Sequence, residues 1–363
     1  MLIGLFVFIG LSLLILGHEA GHFFAAKFFG LKVNEFGFGF PPRMFAWRPK
    51  RWIKEGVTLR QAQGETEYSI NWLPFGGFVK IAGENDALSG EIKKSEEENK
   101  ELRKHLFIFK SAYVRSVIVL AGVLMNFLIG WFLLTLVLLI GTPQAVVITQ
   151  IQPGSPAELA GFLAGDVIKN FSDSESFIGF VNQNRGKPIT LEVIRGGADV
   201  PITAIPRVEA PENQGALGVF LADAGTERQG FFAAVWGGLK NSLMICGMAF
   251  TAFYELIRDL LFHGSLLLGV VGPVGIFSVA QETGRVGWEY LIQLLSIISL
   301  NLAVVNLIPF PALDGGRFFM ILIEKIRGSR VSIRIEAVIN VIGFVFLIFL
   351  MVLLTARDVH NLL

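Results

Sequence analysis

Residues 2–29 read LIGLFVFIGLSLLILGHEAGHFFAAKFF. Apart from His18, Glu19, His22 and Lys27 the stretch is apolar. A helix needs about 20 such residues to cross a hydrocarbon core roughly 30 Å thick. The stretch therefore reads as a membrane span carrying three ionisable groups beyond its midpoint. Two histidines four apart share one helix face about a turn apart, so both imidazoles can reach a single ion, and the glutamate between them can meet a water on it. Such groups cost a few kcal/mol each at membrane depth on insertion scales and persist where they line a functional interior. Two blander readings compete: a pair of hydrogen-bonded core histidines, and a cleavable secretory signal. The signal reading lacks both a basic residue ahead of the apolar run and a small-residue cleavage pattern.

Composition agrees with a membrane setting. Of 363 residues, 53% are hydrophobic and 17% charged, whereas a soluble domain carries about 25% charged residues. A simple soluble enzyme is excluded. The net charge of +1 offers no basic field, so nucleic acid is not expected as a partner. One cysteine, Cys246, leaves no intramolecular disulfide or thiolate metal cluster, and any metal must be held by nitrogen and oxygen.

Three further apolar runs follow: Ser116–Ile140, 25 residues without a charge; Ala337–Ala356, also uncharged; and Tyr290–Ile323, interrupted by Pro309, Pro311, Asp314 and Arg317. The expected fold is a polytopic α-helical membrane protein with four spans. Positions 27–115 hold 16 of the 31 basic residues and positions 141–230 hold six, while the short turn 324–336 holds Lys325, Arg327, Arg330 and Arg334. The positive-inside tendency puts that turn and the loop 31–113 in the cytoplasm, with the N-terminus and 141–289 outside. Phe231–Leu261 would break this parity as a fifth span, and its Lys240, Asn241, Glu255, Arg258 and Asp259 suit a helix lying in the interface.

Two pieces stand apart from the spans. Inside, Phe45–Lys80 alternates toward strands, with a hairpin around Pro74-Phe75-Gly76-Gly77 whose Trp72, Leu73, Phe75 and Phe78 are too apolar for an ordinary cytoplasmic loop. A re-entrant β-hairpin is expected, bordering protein or a wet cavity, since irregular backbone is tolerated at that depth only there. Glu91–Lys104 reads as a solvated helix. Outside, Val146–Ile151, Val167–Phe171, Ile189–Ile194 and Pro201–Ile205 read as strands and Glu175–Gln183 as a helix of a small α+β domain spanning 143–208.

The third zinc-type ligand would come from elsewhere, because catalytic zinc commonly takes three protein ligands and leaves one position open. The interrupted span supplies a carboxylate in Asn306-Leu307-Ile308-Pro309-Phe310-Pro311-Ala312-Leu313-Asp314-Gly315-Gly316. Its prolines break the helix where Asp314 sits in apolar surroundings. An aspartate simply capping the second half-helix is the plainer reading.

HEAGH in the first span together with NLIPFPALDGG in a late span resembles the site-2 protease family of intramembrane zinc metalloproteases, in its bacterial RseP-type branch. The string PGSPAELAGFLAGDVI, residues 153–168, resembles the circularly permuted bacterial PDZ domain. The resemblance covers essentially the whole chain and implies one Zn2+ held by His18, His22 and Asp314, with Glu19 as general base. It implies that Asn301 and Asn306, together with the hairpin residues Asn71, Gly76, Gly77, Phe78 and Val79, hold the substrate backbone. Single-pass membrane proteins such as anti-sigma factors or remnant signal peptides are the implied substrates. The implied setting is the lipid bilayer of the bacterial inner membrane, with the PDZ-like domain outside. Some members carry two PDZ domains, and only one fits here. A peptide tail is expected between the Val146 strand and the Glu175 helix.

The organisation expected is a first span (1–30), cytoplasmic loop with hairpin (31–113), second span (114–140), PDZ-like domain (143–208), interfacial helix with a gating loop around Gly272-Pro273-Val274-Gly275 (209–289), third span (290–323), cytoplasmic turn (324–336) and fourth span (337–358). Two other function classes remain: an inactive membrane-anchored PDZ scaffold, and a metal-ion transporter. The first leaves Glu19 without a task, and the second lacks an internal repeat.

Overall fold

The computed structural model describes residues 2–48, 66–84, 103–196, 198–211, 215–262 and 272–362. The expected helix over 91–104 falls almost wholly outside them. The described chain forms two units, one of Met1–Leu133, Lys240–Phe277 and Leu295–Leu363, the other of Leu134–Leu239 and Ser278–Leu294.

The first unit begins with α1 (Leu2–Phe28), β1 (Val33–Trp47) and β2 (Glu67–Ile81). The strands pair antiparallel and both bend, so that β1 has partners on both sides: Phe36 meets Val79 and Tyr68, and Phe38 meets Gly77 and Ile70. The strand thus starts at Val33, well before the expected Phe45, and it lies between the two halves of β2, which therefore do not pair with each other as the hairpin expected around Pro74–Gly77 would. Gly37, Gly39, Pro41 and Pro42 break the alternation that reveals strands in a sequence. Inside the sheet the Glu35 carboxylate is 5% exposed. It accepts from Lys80 Nζ at 2.7 Å, Ser69 Oγ at 2.7 Å and Arg43 Nη2 at 2.8 Å. Burial pushes this carboxyl up, but the Lys80, Ser69 and Arg43 donors outweigh it and hold it below its ordinary value. The face toward the bend exposes Phe40, Met44, Phe45, Trp47, Trp72 and Leu73.

Then α2 (Ala112–Ile140) packs closely on α1, with Gly21 against the Ala121 backbone. Ser296 Oγ donates to Gly130 O at 2.7 Å and Ser299 Oγ to Asn126 O at 2.8 Å, joining α2 to a later helix by the polar links that hold apolar helices together where water is absent.

The second unit is built around a small β domain: β3 (Thr142–Ile151), α3 (Pro156–Ala160), β4 (Val167–Ile168), α4 (Ser174–Gln183), β5 (Ile189–Arg195), β6 (Ala198–Ala204) and β7 (Val219–Thr226). Strand order is β6-β5-β4-β3-β7. Alternate residues Ile189, Leu191 and Val193 point into a core shared with Val146, Ile148, Phe162 and Phe177. Asp173 caps α4 by accepting from Ser176 N at 2.7 Å, and Asp166, 1% exposed, is clasped by Arg195 Nε at 2.8 Å and Nη2 at 2.7 Å.

Two differences from the sequence reading matter. The expected strand Val167–Phe171 is only two residues long. And β7, beyond the expected boundary at 208, lies on the edge beside β3 with Val146 opposite Asp223. A groove runs between β7 and α4, lined by Phe177, Val181, Leu217, Val219 and Leu221, so the strand facing the helix is β7 where the Val146 strand was expected.

The remaining helices are α5 (Phe231–Phe262), α6 (Pro273–Val286), α7 (Trp288–Leu307), α8 (Asp314–Arg327) and α9 (Ile333–Leu362). The expected gating loop is helical from Pro273 onward. Proline is favoured in the first helical turn, and Asp358, distant in sequence, accepts from Gly275 N at 2.8 Å, supplying a carboxylate to that helix start. Among the described residues four helices are long and apolar enough to cross a membrane: Ile3–Phe28, Ala112–Ile140, Trp288–Leu307 and Ile335–His360. The third span stops at Leu307, short of the expected 323, and the polypeptide turns through Ile308–Leu313 before α8 begins.

Candidate active site

His18, Glu19 and His22 stand on α1, His22 buried and His18 and Glu19 half-buried. The two imidazoles meet edge to face with ring centroids 4.8 Å apart. Asp314 reaches them because the polypeptide breaks just ahead of it. Pro309 and Pro311 cannot donate to a helix, and Ala312 adopts φ 73°, so α8 restarts with Asp314 as its first residue. That turn is braced by α9, where Asn340 Oδ1 accepts from Ala312 N at 3.2 Å, and by the Phe310 and Phe346 rings at 5.8 Å.

Three atoms converge. Asp314 Oδ2 lies 3.1 Å from His18 Nε2 and 3.2 Å from His22 Nε2, and the two Nε2 atoms are 3.2 Å apart. Donor atoms on one face of a zinc tetrahedron are separated by about 3.3 Å, given ligand bonds of about 2.0 Å. Despite its two imidazole neighbours, buried Asp314 Oδ2 has no hydrogen-bond partner, as suits an atom directed at a shared point between all three. Among the described residues this is the one group of three His, Cys, Asp or Glu side chains able to hold an ion. The donor set, two neutral nitrogens and a carboxylate, fits zinc.

The surroundings orient these side chains. His22 Nδ1 lies 2.9 Å from the Ile118 carbonyl, which can only accept, so a neutral ring carries its hydrogen on Nδ1 and offers the Nε2 lone pair. Gly122 on α2 backs both rings: a Cβ there would fall 2.4 Å from His22 Nε2 and 2.8 Å from His18 Cε1. Strand β2 reaches the same place, with the Gly77 Cβ position 3.6 Å from Glu19 Cγ.

The other sequence-expected residues lie on β2 and α7. Gly76 and Gly77 are buried, Phe78 and Val79 are half-buried, and Val79 packs beside the cluster of Ala26, Val33 and Ile81. Asn71 is 4% exposed with its Nδ2 donating to Gly39 O at 2.9 Å, so its amide nitrogen holds the sheet together. Asn301 is exposed and Asn306 half-buried, both in the last two turns of α7. Sequence reasoning missed Gly122 and Asn126, whose one signal is a glycine and an amide four apart in a span otherwise free of strong polarity. It also missed the ion pair of Arg317 with Glu84, which joins α8 one turn after Asp314 to the end of β2.

The model of peptidase family M50 matches residues 6–350. The chain belongs to peptidase family M50. Its relatives span its length: a Clostridium perfringens protein named as a zinc metalloprotease is 30% identical over 98% of each chain. The zinc metalloprotease RasP of Oceanobacillus iheyensis is 26% identical over 95% of this chain and 96% of its own. The regulator of sigma-W protease RasP of Bacillus subtilis is 27% identical over 96% of both. This M50 protein is therefore a zinc metalloendopeptidase of the site-2 protease family, a multi-pass membrane protein with an added β domain.

Proposed function

We propose that this protease hydrolyses a peptide bond within the transmembrane segment of single-pass membrane proteins, with His18, His22 and Asp314 holding one zinc ion and Glu19 moving the proton. The triangle of His18 Nε2, His22 Nε2 and Asp314 Oδ2 among apolar helices carries this reading. When bound there, zinc supplies Lewis acidity that acidifies a water and polarises a carbonyl. The chain's own residues do the rest. Glu19 takes the proton from the attacking water and delivers it to the leaving amine nitrogen. The segment Gly77–Ile81 pairs with β1, and Gly77 abuts Glu19, so an unwound substrate strand added along this segment comes within reach of Glu19. A helical substrate has its carbonyls occupied, and the added strand gives its freed backbone groups partners that lipid cannot. The exposed apolar side chains near the bend of the sheet support its dipping into the bilayer. Asn301 and Asn306 complete the substrate contacts, beside the hairpin residues Asn71, Gly76, Gly77, Phe78 and Val79.

The β domain is the PDZ-like module, outside the bacterial inner membrane, and its β7–α4 groove takes an extended peptide tail. It filters substrates, admitting those already trimmed outside. The Bacillus subtilis relative, named as a regulator of sigma-W protease, supports an anti-sigma factor as the substrate. The test is Glu19→Gln in the full chain reconstituted with a single-pass substrate. Turnover should vanish while one zinc per chain remains, and undiminished cleavage would reject the role of Glu19.

A further inference from the structure

The two histidines are not held alike. His22 Nδ1 faces a backbone carbonyl, whereas His18 Nδ1 faces the side chain of Asn126, whose Nδ2 lies 3.2 Å away. Asn126 is 1% exposed, and its Oδ1 has no hydrogen-bond partner. An orphaned buried carbonyl oxygen beside an imidazole is costly, and it points to what the pair does.

His18 Nε2 belongs to the triangle with Asp314 and His22, so as a ligand it must offer a lone pair, and the ring hydrogen must then sit on Nδ1. An N–H facing an NH2 group is repulsive. A half-turn of the carboxamide about Cβ–Cγ exchanges its two ends within the same shape. Oδ1 then accepts from Nδ1–H, which relieves the N–H to NH2 repulsion, and the NH2 group takes the place the oxygen had. In the opposite orientation Nδ2–H donates to the Nδ1 lone pair, the ring hydrogen moves to Nε2, and His18 cannot coordinate.

We propose that Asn126 is a positioning residue that selects the metal-binding tautomer of His18 through its side-chain oxygen. This rests on the zinc reading of His18, His22 and Asp314. The backbone at Asn126 is fixed for the purpose, since its carbonyl accepts from Ser299 Oγ at 2.8 Å. The side chain therefore has rotation of its amide as its main freedom. The requirement is for an acceptor, and a carboxylate would meet it as well as an amide.

The test uses the full chain in detergent, with zinc affinity measured by competition against a chromogenic chelator and cobalt(II) used as a spectroscopic substitute. Asn126→Leu, which keeps the bulk and removes the acceptor, should weaken zinc binding about 10- to 100-fold, in line with losses of outer-shell partners. Its cobalt spectrum should shift. Asn126→Asp should bind zinc like the parent and keep the parent cobalt spectrum. Equal affinity in Asn126→Leu and the parent overturns the proposal, as does an Asn126→Asp variant as weak as Asn126→Leu. His18→Ala separates the two readings: if it binds zinc as tightly as the parent, the zinc assignment itself fails. Should Asn126→Leu not fold, nitrogen NMR of histidine-labelled, zinc-loaded parent protein decides. A hydrogen-bond coupling from His18 Nδ1–H to the Asn126 side-chain carbonyl upholds the proposal, and its absence overturns it.

Discussion

Gly122 has no counterpart in the HEAGH or LDG motifs, yet the nearest atoms to its missing side chain are His22 Nε2 and His18 Cε1. An added methyl would drive both imidazoles off their common point with Asp314. Overpacking of this kind costs about 1–3 kcal/mol in a well-filled interior. The expected outcome for Gly122→Ala is a folded chain that binds zinc about tenfold more weakly, or worse, measured by chelator competition. Wild-type affinity would mean that the rings have room to retreat. This is also where legibility ran out at the scale of single residues. His18, Glu19, His22 and Asp314 could be read because ionisable groups are rare and expensive inside apolar runs. Gly122 and Asn126 act on their neighbours across a helix interface, and nothing in the order of residues says that α2 lies behind α1 at that height.

At the scale of elements, the hairpin and the broken helix are the parts that bring chemistry to the span. Proline at Val79 removes a strand donor and kinks the segment that abuts Glu19, but it leaves His18, His22 and Asp314 untouched. Val79→Pro is therefore expected to lower cleavage of a reconstituted substrate by about tenfold or more, or about 1.4 kcal/mol in barrier, at unchanged zinc content. Equal losses of zinc and cleavage would count against substrate strand addition. The strand character of residues 67–81 was visible through their aromatic alternation, and the helix break through its two prolines, but not that β1 would insert between the halves of β2. The rest of the sheet was hidden by glycine and proline in residues 37–42, and β7 by a weakly patterned VFLADAGT whose partner, β3, lies about 75 residues earlier. The start of α6 looked like a loop because the carboxylate that serves it, Asp358, is 83 residues away.

For the molecule as a whole, the β domain and the membrane helices divide the work. Thr142 and Thr226 are paired, with Thr226 N donating to Thr142 Oγ1 at 2.7 Å, so the domain leaves and rejoins the chain at adjacent points and can be excised cleanly. Deletion of 143–226 is expected to permit cleavage of substrates that have not been trimmed outside, with zinc content unchanged. Unaltered rejection of such substrates would refute the filter. The catalytic unit makes a stronger demand, since residues near the N-terminus and residues some 290 positions later must meet on one ion. Metal analysis of purified full-length chain against Asp314→Ala tests this most directly. The expected result is about one zinc per parent chain and near none in the variant under the same chelator wash. Full zinc in Asp314→Ala would contradict the assignment.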